Sequence, residues 1–399
     1  MFTKRILPWL LLACLLLCTV VVAVAEQDDE EVTIVIYDAD GNAVTGGGED
    51  GTEPIATPTL APEPTVDPTL PVYEADGSIL LTMSFTGDVT IGSNTQSGGK
   101  SIFDKELENN GGDINFPFKN TRDIFLADDV TMVNFEGTLT TAGKNREKLE
   151  NSFLFRADPS FVTMLPNGGV DTVSLENNHV LDMGEDGLAE TKKTLLDAGI
   201  TYASEGEPAI FTVKGVTIGS LAYQTFGGRH DEIIAKLPAA IADLRNKGCD
   251  LVIISYHWGN EKDYKPNNNQ VRLGRASIDA GADLVIGHHS HRINPIEYYN
   301  GKYICYSLGN FSFAGHNKPD DMSTYIFQTR MRVKDGELVG QEIKIIPCRI
   351  SSRTDKNDLI PTPYTKGNHI EAVLTNLSKN GKSLDYAVGE YPLKWSDEE

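Results

Sequence analysis

Short apolar runs of strand length alternate with helical segments over most of the chain after residue 79. Apolar strands are predicted at 80–85, 130–133, 170–175, 251–255 and 284–286, with a hairpin at 212–223, later strands at 323–333 and 342–347, and helices at 188–198, 233–247, 271–280 and 369–378. Each buried strand reads as a continuous apolar run rather than as a strict alternation. This pattern is typical of an α/β domain with a buried sheet.

Polar side chains follow five of these strands, at the point where each strand ends. The endings are Gly87-Asp88, Asn134-Phe135-Glu136, Asn178-His179, His257-Trp258 and His288-His289-Ser290-His291. Ligand sites of open α/β sheets lie beyond the carboxyl ends of the strands. We therefore expect these five endings to converge on one cleft.

The endings differ in how strongly each one indicates a site. His289 and His291 stand two apart on a loop after a strand, so both can face one metal or two adjacent metals, although which members of the three-histidine run point inward stays open. His179 has Asp182 three residues later, which resembles a histidine oriented by a carboxylate. Asp88 is a weaker signal, because Gly-Asp is also common in turns.

The residue types in these endings indicate a metal. Carboxylate, imidazole and amide ligands together suit a divalent ion such as Mn, Fe or Zn, and one or two ions would fit the set. A carboxylate that bridges two metals between histidine ligands can generate hydroxide and support phosphoester hydrolysis. The reaction class that this pattern favours is therefore hydrolysis of a phosphoester.

The N-terminus indicates export. Lys4 and Arg5 precede an apolar run over residues 6–22, which ends in Ala23-Val24-Ala25. Residues 1–25 are therefore predicted to be a signal peptide or, since the run is nearly long enough to span a bilayer, an uncleaved N-terminal membrane anchor. A lipid attached at Cys14 is a weaker alternative. The expected location is extracytoplasmic, either membrane-anchored or secreted.

Residues 26–79 are predicted to be an acidic, Thr/Pro-rich disordered stalk. They contain 14 Asp and Glu and no Lys or Arg, with closely spaced prolines between residues 54 and 71. A short apolar alternation at 32–37 could form a small hairpin, which we treat as part of the stalk. Beyond the stalk we expect a folded domain over 80–350 and a C-terminal extension over 351–399 that packs on it.

The net charge of −22 is unevenly spread, and residues 80–399 carry −10 of it. Because binding to phosphate backbones requires clustered cations, this balance argues against a nucleic-acid partner. Candidate cations for a cleft are Arg156, Arg229, Arg272 and Arg292. The odd number of cysteines after the N-terminal segment, in apolar surroundings, predicts buried thiols rather than a disulfide framework.

Six stretches in order along residues 83–313 resemble the CapA family of capsule synthesis proteins. They are Gly87-Asp88, Asn134-Phe135-Glu136-Gly137, Asn177-Asn178-His179 with Asp182, His257-Trp258-Gly259 with Glu261, Gly287-His288-His289-Ser290-His291, and Ser307-Leu308-Gly309-Asn310-Phe311 with Phe313. The resemblance implies a metallophosphatase-like fold of the calcineurin type, which is a sandwich of two β-sheets flanked by helices.

The resemblance also implies roles for the site residues. One metal would be held by Asp88, Glu136 and His291, and a second by Glu136, Asn178, His257 and His289. His179, steadied by Asp182, would be the catalytic pair beside the reacting group. Asn310 would form a hydrogen bond beneath the site.

Two departures from the general metallophosphatase pattern affect the metals. The superfamily has Asp-x-His where this chain has Asp88-Val89-Thr90, so the first metal would lack an imidazole. Glu136 stands where the superfamily has a bridging aspartate. Whether the site binds one metal, two metals or none therefore stays open, and so does whether the chain is an enzyme.

The family implies a part in making, exporting or anchoring poly-γ-glutamate, the polymer of some bacterial capsules. The implied partners are that anionic polymer or a membrane-linked intermediate, and a membrane biosynthesis complex. Two alternatives stay open. One is a secreted metal-dependent phosphoesterase acting on an unrelated phosphate ester, and the other is a catalytically inactive scaffold of the same fold.

Overall fold

The computed structural model describes residues 22–28, 31–37, 68–96, 99–143 and 153–398, the first two ranges as backbone strands only. The chain divides into two compact units, residues 1–65 and 66–399. In the first, β1 (Val22–Asp28) pairs antiparallel with β2 (Glu31–Tyr37), so the apolar alternation at 32–37 is a strand of a hairpin whose other strand precedes it. Residues 1–21 of the predicted signal peptide or anchor, and residues 38–67 of the predicted stalk, lie outside the described residues.

The second unit is built on two large sheets. Its described strands are β3 (Ile79–Val89), β4 (Ser93–Asn94), β5 (Val130–Phe135), β6 (Phe155–Arg156), β7 (Thr172–Ser174), β8 (Thr201–Ala203), β9 (Ala209–Val213), β10 (Val216–Gln224), β11 (Leu251–His257), β12 (Leu284–His288), β13 (Ile296–Tyr299), β14 (Lys302–Cys305), β15 (Ser323–Lys334), β16 (Glu337–Arg349) and β17 (Thr362–Pro363). Seven form one sheet in the order β17-β16-β15-β3-β5-β7-β8, in which β3, β5, β7 and β8 are parallel. Six form the other in the order β13-β14-β12-β11-β10-β9, in which β10, β11, β12 and β14 are parallel.

Helices connect the parallel strands and cover the sheets. They are α1 (Ile102–Asn109), α2 (Arg122–Phe125), α3 (Met164–Asn167), α4 (Gly184–Asp197), α5 (His230–Asn246), α6 (Asn268–Asp279) and α7 (Gly367–Gly381), with 3-10 turns at Phe116–Phe118 and Pro159–Thr163. The start of α6 is fixed by a capping box, in which the Asn267 side chain accepts from the Gln270 N–H and Gln270 bonds back to the Asn267 N–H.

The two sheets pack face to face, with helices on the outer sides. β11 shows why its sequence is apolar throughout: Leu251 and Ile253 enter the core between the sheets, whereas Val252 and Ile254 join α5 and α6 on the outside. Burying each such side chain contributes about 1.5–3 kcal/mol. Met132 of β5 enters the same inner core from the opposite sheet. The predicted sandwich of two β-sheets flanked by helices is confirmed.

The folded unit begins earlier than residue 80, where the sequence placed its start. The Pro68 carbonyl accepts a hydrogen bond from the Lys214 N–H at 2.7 Å, and Tyr73 forms a β-bridge with Ile79. Residues 68–79, predicted as the end of the stalk, therefore pack on the sandwich. Local composition could not show the contact of Pro68 with Lys214, because it joins segments far apart in the chain.

Residues after 350 also pack on the sandwich. The Asn357 side chain donates to the Phe313 carbonyl at 2.9 Å, and the Ile345 N–H donates to the Pro392 carbonyl at 2.7 Å. All three cysteines of this unit are buried free thiols, as predicted. Among the residues described, no helix is both long and apolar enough to cross a bilayer.

Candidate metal centre

The carboxyl ends of β3, β5, β11 and β12 converge at one edge of the sandwich. The register pairs Asp88 with Asn134 in one sheet and His257 with His288 in the other. Contacts join the two sheets here: Asn134 Nδ2 lies 3.4 Å from His257 Nδ1, and Asp88 Oδ1 lies 3.6 Å from His288 Nδ1. The convergence expected from the strand endings is therefore present.

Asp88 is completely buried near the end of β3. Its Oδ1 accepts a hydrogen bond from Asn134 Nδ2 at 2.8 Å, and its Oδ2 lies 3.0 Å from His291 Nδ1. Burial alone would raise the pKa of Asp88, but the hydrogen bond and charge of His291 outweigh it and lower this pKa. Asp88 is thus held as a carboxylate.

Gly87 has a different role from the one that its sequence suggests. Gly87-Asp88 is not a turn, because β3 continues to Val89. A Cβ atom at Gly87 would lie 1.9 Å from the Gly309 carbonyl oxygen, which accepts from the Asp88 N–H at 3.0 Å. Glycine is required so that the segment carrying Asn310 can lie directly against β3 and reach the site.

Glu136 is the most unusual residue of the cluster. It is fully buried, and within the described part of the chain neither carboxylate oxygen has a hydrogen-bond partner. The Nε2 atoms of His179 and His257 lie 3.6 and 3.8 Å from its Oε1, beyond hydrogen-bond distance. Burial and the charge of Asp88 raise the pKa of Glu136 well above its ordinary value. Such a carboxylate is costly unless a cation accompanies it.

Asn178, His257 and His289 form the other side of the cluster. His257 Nε2 lies 2.7 Å from Asn178 Oδ1, and the rings of His257 and His289 are 4.6 Å apart. Burial lowers the pKa of His257 well below its usual range and that of His289 to about 4. Both rings are therefore neutral at pH 7, which is the form that binds metals.

The three-histidine run resolves into three environments. His289 and His291 both have positive φ, 90° and 53°, so the loop is sharply bent and both rings enter the cleft. His291 Nδ1 lies 2.8 Å from Asn310 Oδ1, the contact predicted beneath the site. Burial opposes protonation of His291, but Asp88 and Glu136 raise its pKa to about 9. His288 is buried beside Asp88, and burial lowers its pKa to about 4.

His179 and Asp182 lie beside this cluster. Asp182 Oδ2 is 2.8 Å from His179 Nδ1 and also accepts the Phe155 N–H at 2.7 Å. The His179 ring packs on Phe155 with ring centroids 4.8 Å apart. The carboxylate and the aromatic ring together fix the imidazole so that Nε2 is directed at Glu136.

Two sets of side chains could each hold an ion. In each set the ligand atoms lie within 4.8 Å of one another; the sets are Asp88, Glu136 and His291, and Glu261, His289 and His291. The first set matches the predicted first metal. Glu261 belongs to one of the stretches that resemble the CapA family, but the sequence did not predict it as a ligand. Its place in the loop directly after β11 could have indicated that role. The unpartnered oxygens of Glu136 and the neutral ring of His289 fit a divalent cation.

A cavity of about 210 Å³ opens on this cluster. Its walls include His179, Glu261, Lys262, His291, Arg292 and Phe313. Of the four arginines proposed from sequence, only Arg292 lines it. Arg229 pairs with Glu205 and Arg272 with Asp231, while Arg156 donates to backbone carbonyls. Those three were wrong as cleft cations, because sequence does not show where a surface arginine finds its partner.

The fold and the site together define a class: a two-sheet α/β protein with a buried carboxylate–imidazole cleft at the carboxyl ends of its strands. Residues 82–314 match the family described as bacterial capsule synthesis protein PGA_cap, which is more than half of the chain. The chain belongs to this family.

Two relatives illustrate the likeness. The chain is 33% identical over 264 residues to the PGA biosynthesis protein CapA of Bacillus subtilis, which covers 62% of this chain and 66% of that protein, just under two thirds. It is 29% identical over 322 residues to the capsule biosynthesis protein CapA of Bacillus anthracis, covering 75% and 71% respectively. Among solved structures, the sulfate thiohydrolase SoxB of Thermus thermophilus aligns over 75% of this chain and 60% of its own. The TM-score is 0.38 and the identity 13%, which is too distant to support an argument.

Proposed function

We propose that this chain acts in poly-γ-glutamate capsule biosynthesis, export or anchoring, outside the cytoplasmic membrane, through a cleft that binds a divalent metal. The family membership supports the capsule role. The predicted signal peptide or anchor supports the location, as a membrane-anchored or secreted protein. The proposed partners are the anionic polymer or a membrane-linked intermediate, and a membrane biosynthesis complex.

One observation carries the metal part of the proposal: Glu136 is buried with both carboxylate oxygens unpartnered, among carboxylate and imidazole side chains. Asp88, Glu136 and His291 would hold one ion, and Asn178, His257 and His289 are the proposed ligands of a second, with Glu136 between them. Mn, Fe or Zn suits these ligand types. A bound ion of this kind supplies Lewis acidity and a hydroxide at neutral pH.

The chain's own residues provide proton transfer and positioning. Asp182 accepts from His179 Nδ1, which places the proton of the neutral ring there and leaves Nε2 as the atom that exchanges a proton with a reacting group. Phe155 and Phe313 pack against the rings of His179 and His291 and limit water at the cluster. The catalytic pair proposed here is therefore His179 with Asp182.

The capsule role is tested in the protein's own host. A chromosomal Glu136→Gln variant should reduce surface polyglutamate about as strongly as deletion of the gene, with the chain still present on an immunoblot. Glu371→Gln, on the outer surface of α7, is the matched control and should leave the polymer unchanged. Normal polymer in the deletion strain of a host that makes it would contradict the capsule role.

A phosphoesterase is the second candidate, favoured by the oriented His179–Asp182 pair beside a carboxylate–imidazole cleft. It predicts Mn-dependent turnover of a generic phosphodiester that Asn178→Ala and His257→Ala abolish. Polymer loss in the host without such turnover would favour the capsule role, and turnover with normal polymer would favour the phosphoesterase. A metal-binding chain with neither effect would be a scaffold.

A further inference from the structure

Arg292 differs from the other arginines that the structure describes. It is only 6% exposed, and no other described arginine is buried to this extent. Most of the others pair with a carboxylate, as Arg275 does with Glu297 at 2.6 Å. Within the described residues, no carboxylate lies within ion-pair distance of Arg292, so its charge is buried without a counter-charge.

The contacts of the Arg292 guanidinium leave part of it unsatisfied. Nη1 donates to the His291 carbonyl at 2.8 Å, and the guanidinium carbon lies 5.7 Å from the centre of the Tyr264 ring. Nε has no hydrogen-bond partner in the described structure. The Tyr264 hydroxyl donates to Asp321 at 2.8 Å, so that carboxylate is already engaged. A buried guanidinium whose Nε has no partner is costly unless an acceptor binds there, and an oxyanion is the acceptor that matches its charge.

The guanidinium lines the same cavity as the candidate metal cluster. Lys262 stands on the opposite loop, where a positive φ of 68° and a 2.7 Å bond from its N–H to the Ser290 carbonyl hold its backbone. Lys262 also lines the cavity, and no ion pair to it is found among the described residues. Two cations therefore line a cavity of about 210 Å³ whose other charged or titratable residues are Glu261, Asp320, His179, His291 and His316.

We propose that Arg292 and Lys262 form a subsite for a free carboxylate of the substrate chain, beside the metal cluster. This rests on the proposed function, because a γ-linked glutamate polymer carries one free α-carboxylate on every residue. A guanidinium matches a planar carboxylate through paired N–H donors. Bound there, the carboxylate neutralises Arg292 and places the neighbouring γ-amide beside His179 and His291. The subsite would therefore distinguish γ-linked from α-linked glutamate chains, because an α-linked chain carries its free carboxylates at the ends of flexible side chains.

The test is calorimetric binding of a synthetic γ-linked glutamate octamer to the purified full-length chain with Mn²⁺ present. Arg292→Met should weaken octamer binding about 10- to 100-fold, with Lys262→Met weakening it by a smaller factor. Arg292→Lys should recover only part of the affinity, because a lysine lacks the paired donors. Arg272→Met, which removes an arginine paired with Asp231 away from the cavity, is the matched control and should leave binding unchanged.

A separate Mn²⁺ titration distinguishes failure of this inference from failure of the metal cleft, and it also shows that each variant is folded. Unchanged octamer affinity in Arg292→Met and Lys262→Met, with normal Mn²⁺ binding, would overturn the subsite. So would equal affinity of the wild-type chain for γ-linked and α-linked octamers. If orthophosphate binds in an Arg292-dependent manner and the octamer does not bind, the carboxylate subsite is overturned and the ligand of Arg292 is a phosphate. If Arg292→Met does not fold, octamer binding by Lys262→Met tests the subsite instead. Lys262 is exposed, so its substitution should leave the fold intact.

Discussion

Glu136→Gln should make the metal-free protein more stable and the metal-bound protein less responsive to metal. The substitution keeps the size of the side chain but removes a carboxylate whose oxygens have no hydrogen-bond partner in the described structure. It also removes the repulsion between Glu136 and Asp88, which contributes to the raised pKa of Glu136. Most substitutions of buried charged residues destabilise a protein, so an increase would be diagnostic.

Two contributions set the size of these changes in unfolding free energy: the buried charge that is removed and the metal binding that is weakened. Replacing one buried, unpaired charge with a neutral amide of the same size should raise the free energy of unfolding without metal by about 1–3 kcal/mol. In the wild type, Mn²⁺ at 100 times its Kd adds about 2.7 kcal/mol. If loss of one anionic ligand weakens metal affinity ~100-fold, the same Mn²⁺ concentration adds only ~0.4 kcal/mol to the variant.

The assay is urea unfolding of the purified chain in EDTA and in excess Mn²⁺. Glu297→Gln is the matched control, since Glu297 is also completely buried but is fully partnered by Arg275 at 2.6 Å and by the Tyr306 hydroxyl at 2.7 Å. We expect Glu297→Gln to destabilise the chain by about 3–5 kcal/mol with or without metal. The two glutamates should thus give opposite signs in EDTA.

The reasoning is refuted if Glu136→Gln lowers the metal-free stability as Glu297→Gln does. It is also refuted if Mn²⁺ stabilises the wild type and the variant equally. The first outcome would mean that Glu136 has stabilising partners in the folded chain, and the second that it is not a ligand.

Three further predictions concern other parts of the molecule. Gly87→Ala should lower the unfolding free energy by about 3 kcal/mol or more, measured by urea unfolding, because its Cβ would lie 1.9 Å from a backbone carbonyl oxygen; no loss would show that the neighbouring segment can move. Asp182→Ala should lower the free energy of unfolding by about 2 kcal/mol, because it removes the oxygen that accepts from both His179 and the Phe155 N–H. Asp182→Asn should lower it less, because an amide oxygen can still accept; equal losses in thermal unfolding would contradict this. Burial raises the pKa of Asp128 from 3.8 to about 7, so its stabilising contribution is present at low pH and is lost as the pH rises through about 7. Asp128→Asn should remove that loss, which between pH 5 and pH 8 is at most ~2.7 kcal/mol because only the interval up to about pH 7 contributes; an unchanged difference in unfolding free energy between the two pH values would contradict the assignment.

Much of the fold was predictable from local pattern. The hairpin predicted at 212–223 forms from β9 and β10, and β11 and β12 begin at the predicted residues, because buried parallel strands require continuous apolar runs. Strand ends were less predictable. β11 continues through His257 and β12 through His288, so these two residues belong to the strands rather than to the loops after them.

The site was predictable as a set of residues but not as a network. Strand endings bring Asp88 beside Asn134, and His257 beside His288, because parallel strands share an edge, and that rule is visible in the sequence. The contact of Asp88 with His291, and the role of Glu261 near two histidines, depend on how the two sheets and their loops face each other. The buried, unpaired state of Arg292 likewise depends on long-range packing and has no local signature.

Anomalous diffraction from crystals of the chain grown with Mn²⁺ tests the central claim most directly. The account predicts a manganese peak in contact with Asp88, Glu136 and His291, and Glu136→Gln should reduce its occupancy. A second peak beside His257 and His289 would define a two-metal centre. No peak in the cleft at saturating Mn²⁺, or a peak only at surface carboxylates, would contradict the account.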